Sequence, residues 1–149
     1  MRVNILRILG VGLTSTAAMT LVMEQLYNTL PHNEQYPLPP EEIATVAEVK
    51  VLGKSLNRSQ HMTFTWISHF GYGLTLTGLY SLLVRQLPFP PLVSGISYGL
   101  VVWAGSYLGW LPAFHVLPPA TKFPPARRSL MIISHVVWGA LLGTLMREG

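Results

Sequence analysis

Apolar positions along this chain fall into four long blocks, at about 8–30, 62–84, 92–114 and 129–146, separated by polar, proline-rich connections. An α-helix needs about 20 apolar residues to cross a bilayer, and each block is close to that length. The pattern therefore predicts an all-α fold, a transmembrane four-helix bundle formed by a single domain spanning 1–149. A fifth stretch, about 41–56, opens with Glu41 and Glu42, carries Ile43, Val46, Ala47, Val49 and Val51, and ends near Lys50 and Lys54. Acidic residues suit a helix N-terminus and basic ones the other end. This stretch is too short and too charged to span, so it reads as an amphipathic helix at the membrane interface, with a cap over the bundle as the alternative.

The blocks carry an internal echo. Ile67-Ser68-His69 followed by Tyr72-Gly73 matches Ile133-Ser134-His135 followed by Trp138-Gly139, 66 residues later. Leu30-Pro31 and Tyr36-Pro37 match Leu117-Pro118 and Phe123-Pro124, and Gly12-Leu13 matches Gly99-Leu100, all 87 residues apart. The difference between the two offsets is roughly the interfacial helix. The chain thus reads as two parallel two-helix repeats, each a helix, a proline loop and a histidine helix, related by an axis along the membrane normal. The short Leu87-Pro88-Phe89-Pro90-Pro91 turn makes the second and third blocks antiparallel neighbours. Within the blocks, Gly95-x-x-x-Gly99, Gly105-x-x-x-Gly109 and Gly139-x-x-x-Gly143 are spaced for close helix packing, and Gly73 shares the face of His69. Packing within the chain is expected before dimerisation, although a homo-oligomer or another membrane protein could use the same faces.

Composition strengthens the membrane reading. Only 11% of residues are charged, against about 25% in soluble domains. There is no cysteine, so disulfides and thiolate metal sites are absent. The net charge of +4 is spread near predicted helix ends, with Arg2, Arg7, Arg85 and Arg147 toward one side and Lys50, Lys54, Arg58, Lys122, Arg127 and Arg128 toward the other. That spread suits membrane flanks, not a nucleic-acid surface. A cleaved signal peptide is the competing reading of the N-terminus, but the apolar pattern continues to Leu26.

Several motifs together resemble a known family. They are Ala18-Met19-Thr20, Pro37-Leu38-Pro39-Pro40-Glu41-Glu42-Ile43, Ser68-His69, Gly109-Trp110-Leu111-Pro112-Ala113 with Pro118-Pro119-Ala120-Thr121 and Pro124-Pro125, and His135-x-x-Trp138-Gly139-x-x-x-Gly143. This set resembles a family of small bacterial membrane proteins of unknown function, with the YagU-like inner-membrane proteins as more distant relatives. The resemblance implies a multi-pass protein of the bacterial inner membrane and brings no catalytic residues with it.

Candidate chemistry is sparse. His69 and His135 lie about seven residues inside their blocks and Glu24 about six from the end of the first, which places all three roughly 10 Å below the proline-loop surface. Ionisable groups at such depth face the bundle interior. Glu24, on the face of Thr20, Ala17 and Thr16, is therefore expected to join His69 and His135 in a buried polar layer. The layer could tie helices together, hold a metal through two histidines and a carboxylate, ligate haem through both histidines, or line a proton or solute path. Lys122, Arg127 and Arg128, with His115, are expected to contact lipid headgroups. His32 and His61 read as solvated loop residues, Trp66, Trp103, Trp110 and Trp138 as packing or interfacial anchors, and Met19, Met23 and Met131 as core fillers. No phosphate loop, paired catalytic carboxylates or nucleophile elbow is present. The expectation is a non-enzymatic membrane protein without a cofactor, in a scaffold, partner-binding or stress-related role. A small transporter and a haem- or metal-binding subunit are the alternatives.

Overall fold

The computed structural model describes residues 5–86 and 88–147, the side chains of residues 85 and 147 excepted. Arg2, Leu87 and the flanking charges of Arg85 and Arg147 thus lie outside what is described. Among the described residues the chain is helical and has no strand. Four long helices carry the fold: α1 (Ile5–Asn28), α3 (Arg58–Leu83), α4 (Pro91–Ala113) and α5 (Pro125–Arg147). A short α2 (Pro39–Ala47) sits in the first loop and runs into a π-helical segment, Glu48–Leu52.

Local chemistry accounts for the boundaries. Prolines at the first turns of α2 and α4 supply a φ already set for a helix. At α3 the Asn57 side chain accepts from Gln60 N–H while the Gln60 side chain accepts from Asn57 N–H, a reciprocal cap that starts the helix four residues before the apolar run. Gly53, at φ +66°, ends the helical stretch after α2 at Leu52 instead of 56, because that left-handed conformation is cheap only for glycine.

Among the described residues three helices are long and apolar enough to cross a membrane: α1, α4 and α5. The expected count of four is not met on composition, because Thr63, Thr65, Ser68, His69, Thr75 and Thr77 lower the hydropathy of α3. All four helices are nevertheless apolar on the outside. Leu13 and Leu21 on α1, Ile67 and Leu79 on α3, Val101 and Leu108 on α4, and Ile133 on α5 are exposed.

The closest packing joins α4 to α5, antiparallel. A Cβ added to Gly95 would overlap the Gly139 carbonyl oxygen, one on Gly99 the His135 carbonyl, one on Gly139 the Gly95 carbonyl, and one on Gly143 the Pro91 carbonyl. Two of the expected Gly-x-x-x-Gly pairs thus interlock, backbone against backbone. The α1–α3 contact is built in the same way but less tightly. Gly73 receives the Thr16 side chain, and a Cβ on Gly12 would lie 2.8 Å from Leu74 Cδ2. Gly105 and Gly109 do not pack as expected: both are exposed, and no atom lies within 4 Å of where a Gly105 Cβ would stand. Helical geometry explains the miss. Six residues advance the helix by about 600°, so Gly105 points about 240° away from Gly99.

Around the bundle, α3 packs on α1, α1 on α5, and α5 on α4. The start of α1 and the end of α5 meet at one end, where Arg7 Nη2 donates to the Leu145 carbonyl at 2.7 Å. The fourth side differs: α3 and α4 are joined by tyrosines. Tyr98 Oη donates to the Leu76 carbonyl at 2.8 Å, Tyr80 and Ser94 share a 2.8 Å hydrogen bond, and Tyr72 and Ser106 share one of 3.1 Å. The two halves therefore do not make equivalent contacts, as symmetric repeats would.

The loop end is closed by α2, which is docked by its acids. Arg127, buried instead of reaching headgroups, pairs with Glu42 and lies 5.4 Å from the centre of the Tyr36 ring and 4.7 Å from that of Phe123. Those rings stand at matching positions of the two proline loops. Glu48, 3% exposed, accepts from Leu56 N–H at 3.1 Å and is hydrogen-bonded to His61, which is not a solvated loop residue. Arg127 and His61 are 66 residues apart, as are His135 and His69, so α2 and the π-helical segment after it strap the starts of both histidine helices. Val49, Val51 and Leu52 remain exposed beside Lys50, so the docked α2 cap continues into a π-helical segment with an apolar outer edge.

Two predictions follow from this packing. Gly139→Leu and Gly143→Leu each force α4 and α5 apart and are expected to cost about 3 kcal/mol or more. Gly105→Leu and Gly109→Leu should stay within about 0.5 kcal/mol of the parent, as measured by thermal melting in detergent. The second concerns pH. Desolvation raises the Glu48 carboxyl, but the Leu56 N–H and the His61 hydrogen bond and charge outweigh it and hold the carboxyl below its ordinary value. A lowered folded-state value means the strap is fully stabilising above the ordinary glutamate range near ~4.3 and is lost as pH falls through the lower folded value. The protection factor of the Leu56 amide in hydrogen exchange should hold at neutral pH and be lost only as pH falls below the ordinary glutamate range; Glu48→Gln should lose much of it at every pH.

Candidate functional site

Between the four long helices, under α2, lies a cavity of about 240 Å³. It separates two apolar clusters. One, toward the loop end, contains Met23, Tyr107, Leu111, Leu130 and Met131. The other, toward the termini, contains Val11, Met19, Tyr80, Trp138 and Leu142. The expected core role of Met19, Met23 and Met131 matches their burial. Each element supplies part of the lining: Thr16 from α1, Pro40 and Ile43 from α2, His69 and Tyr72 from α3, Ser106 and Tyr107 from α4, His135 and Trp138 from α5. The lining is mostly apolar and contains no Asp, Glu, Lys or Arg.

Both histidines expected to lie inside are there, facing one space from opposite helix pairs. Their hydrogen bonds identify their neutral tautomers. Thr20 Oγ1 donates its single proton to the Thr16 carbonyl at 2.8 Å. The 3.0 Å contact between Thr20 Oγ1 and His69 Nε2 is then donated by the imidazole, which leaves His69 Nδ1 as an acceptor. His135 Nδ1 lies 2.8 Å from the Met131 carbonyl, which can only accept, so Nδ1 carries the proton and Nε2 is the acceptor.

Glu24 does not join them. It is exposed and lines no part of the cavity, while Met23 takes the inward position. Each step of four residues drifts about 40° around a helix, so Glu24 has rotated about 80° from Thr16. The proposed carboxylate ligand is thereby removed. Among the described residues no three His, Asp or Glu side chains come together as a metal site. Of the residues expected at headgroups, Lys122 is exposed, Arg128 half-buried and Arg127 buried in its ion pair. Trp138 packs inside, 5.9 Å from the Tyr98 ring, whereas Trp66 and Trp110 are partly exposed.

Tyr72 lines the cavity on the face it shares with His69, whereas Ser106 and Tyr107 are lining residues that the sequence pattern does not single out. The signal was weak: hydroxyls isolated in apolar helices. Ser106 and Tyr107 lie in a π-helical segment, Gly105–Trp110, where the wider turn changes which side chains face inward. Such segments are frequent at functional sites. Tyr107 is buried with its ring edge-on to His135 at 5.8 Å, and Tyr72 meets Trp110 at 6.1 Å where the cavity reaches the α3–α4 side.

Comparison with known proteins places the chain in one family. No curated protein and no solved structure matches it. Over residues 13–143, a span that includes every cavity-lining position, the chain belongs to the family described as "Protein of unknown function (DUF1440)".

Proposed function

We propose that this is a non-enzymatic, multi-pass protein of the inner membrane, with all four long helices crossing the bilayer, that binds a small, largely apolar molecule between them. The cavity carries this reading. It is lined by all four long helices and by Pro40 and Ile43 of α2, mostly apolar, and free of ionised side chains. Sites of this composition suit neutral lipophilic ligands, and at about 240 Å³ the cavity is at the small end for them.

The fourth crossing is supported by how α3 handles its polar groups. No Asp, Glu, Lys or Arg occurs between 59 and 84. Thr63, Thr75 and Thr77 donate to the carbonyls four residues back, and Ser81 to the carbonyl three back. Hydroxyls satisfied within their own helix are tolerated in lipid. At 1.5 Å per residue α3 is about 39 Å long, ample for the hydrocarbon core. A binding role is the reading adopted here because the lining carries no carboxylate or other ionised side chain, and among the described residues no three His, Asp or Glu side chains gather as a metal site.

The chain lacks cysteine, so single cysteines report topology cleanly. With four crossings, cysteines at Ile5, Phe89 and Met146 should label from one side of sealed vesicles and one at Asn33 from the other. Labelling of Ile5 and Met146 from opposite sides would leave α3 outside the bilayer. For the ligand, native mass spectrometry of protein taken directly from membranes should show a bound small molecule, displaced in a Gly73→Leu or Thr16→Leu variant; a ligand-free spectrum from gently extracted protein would count against the site.

A further inference from the structure

Resting on that reading of the cavity, we infer that its occupant carries a hydroxyl group, held between His135 and Tyr107. His135 is 6% exposed and lines the cavity. Its Nδ1–H is committed to the Met131 carbonyl, so Nε2 presents a lone pair and has no hydrogen-bond partner among the described residues. Tyr107, 7% exposed, stands edge-on to the same ring, and its phenol O–H also has no hydrogen-bond partner among the described residues. One group accepts and the other donates. Across the space, His69 Nδ1 is a second acceptor, because Nε2–H is given to Thr20.

A single ligand hydroxyl meets both needs, donating to His135 Nε2 and accepting from Tyr107 O–H. A ketone, ether or ester accepts only and leaves two imidazole acceptors unpaired, which is costly in an apolar site. A carboxylate or ammonium finds no opposite charge among the lining residues and loses its hydration on entering. The chemistry selects a neutral, lipophilic alcohol or phenol small enough for the cavity. Tyr72 and Trp110 line the cavity and are also partly exposed, so the α3–α4 side offers a route from the surrounding lipid.

The test compares 1-naphthol with 1-methoxynaphthalene, which share a ring system but differ in the ability to donate. Each is measured by equilibrium dialysis against the full chain in nanodiscs, with partition into empty nanodiscs subtracted. Wild-type protein should prefer the alcohol by about fivefold to tenfold, the range of one neutral hydrogen bond. His135→Leu should erase that preference by weakening naphthol alone, and the unchanged affinity for the ether shows that the cavity is intact. His135→Gln, whose amide oxygen restores an acceptor, should recover part of the preference even if the leucine variant fails to fold. Equal affinity of the wild type for both probes, or a preference that survives in both His135 variants, would overturn the hydroxyl assignment while leaving the binding site standing. Binding of neither probe above the empty-disc level would overturn both.

Discussion

The structure depends on one contact, the backbone of α4 laid directly on the backbone of α5. Between transmembrane helices lipid offers little hydrophobic drive, so association rests on close van der Waals packing. Gly95 and Gly99 supply it from one side and Gly139 and Gly143 from the other, each occupying space in which a methyl group would strike a carbonyl oxygen. Nothing larger than hydrogen fits there. The bulky residues of α5, His135 and Trp138, stand beside this glycine seam, against Tyr107 and Tyr98 of α4, and line the cavity.

The opposite side is built on a different principle. Helices α3 and α4 are held apart by Tyr72, Tyr80 and Tyr98, whose hydroxyls reach across to Ser106, Ser94 and the Leu76 carbonyl. A bundle closed by glycine on one side and propped by tyrosine on the other cannot fill its centre. The cavity follows from that asymmetry and lies where the two apolar clusters fail to meet. Above it, α2 and the π-helical segment that continues it bridge the halves through Glu42 to Arg127 and Glu48 to His61. The arginine and the histidine stand at the same relative place in their helices, so one short element secures both.

Polar groups in this bundle are few, and most are answered locally. Thr20, Thr77, Ser134 and Thr144 each donate to a carbonyl one turn earlier. That economy suits lipid, where an unpaired hydroxyl has no water to turn to. It also makes the unanswered groups at the centre conspicuous. His135 and Tyr107 line the cavity with Nε2 and the phenol lacking a partner among the described residues, and Thr16 Oγ1 and the Trp138 indole N–H, also of the lining, are buried without one.

Much of this was legible along the chain. Four helices, their approximate limits, the interlocking Gly95/Gly99 and Gly139/Gly143 pairs and the inward placing of both histidines all depend on local composition and a 100° step, which sequence carries directly. That step is reliable over one or two turns and drifts beyond them. Glu24 and the Gly105/Gly109 pair were assigned to faces that helical drift carries them away from, and a small rotation decides between lipid and interior. Arg127 was misplaced because its value lies in partners 85 to 91 residues away, Glu42 and Tyr36. Ser106 and Tyr107 depended on a π segment that periodicity does not announce. The sequence by itself determined which segments are helical, which can enter a membrane and where two backbones can touch, because those properties belong to single helices. Only the tertiary structure decided that the tyrosine side stays open, that a cavity results and which polar atoms are left unpaired within it, because each depends on distances between helices that no single helix encodes.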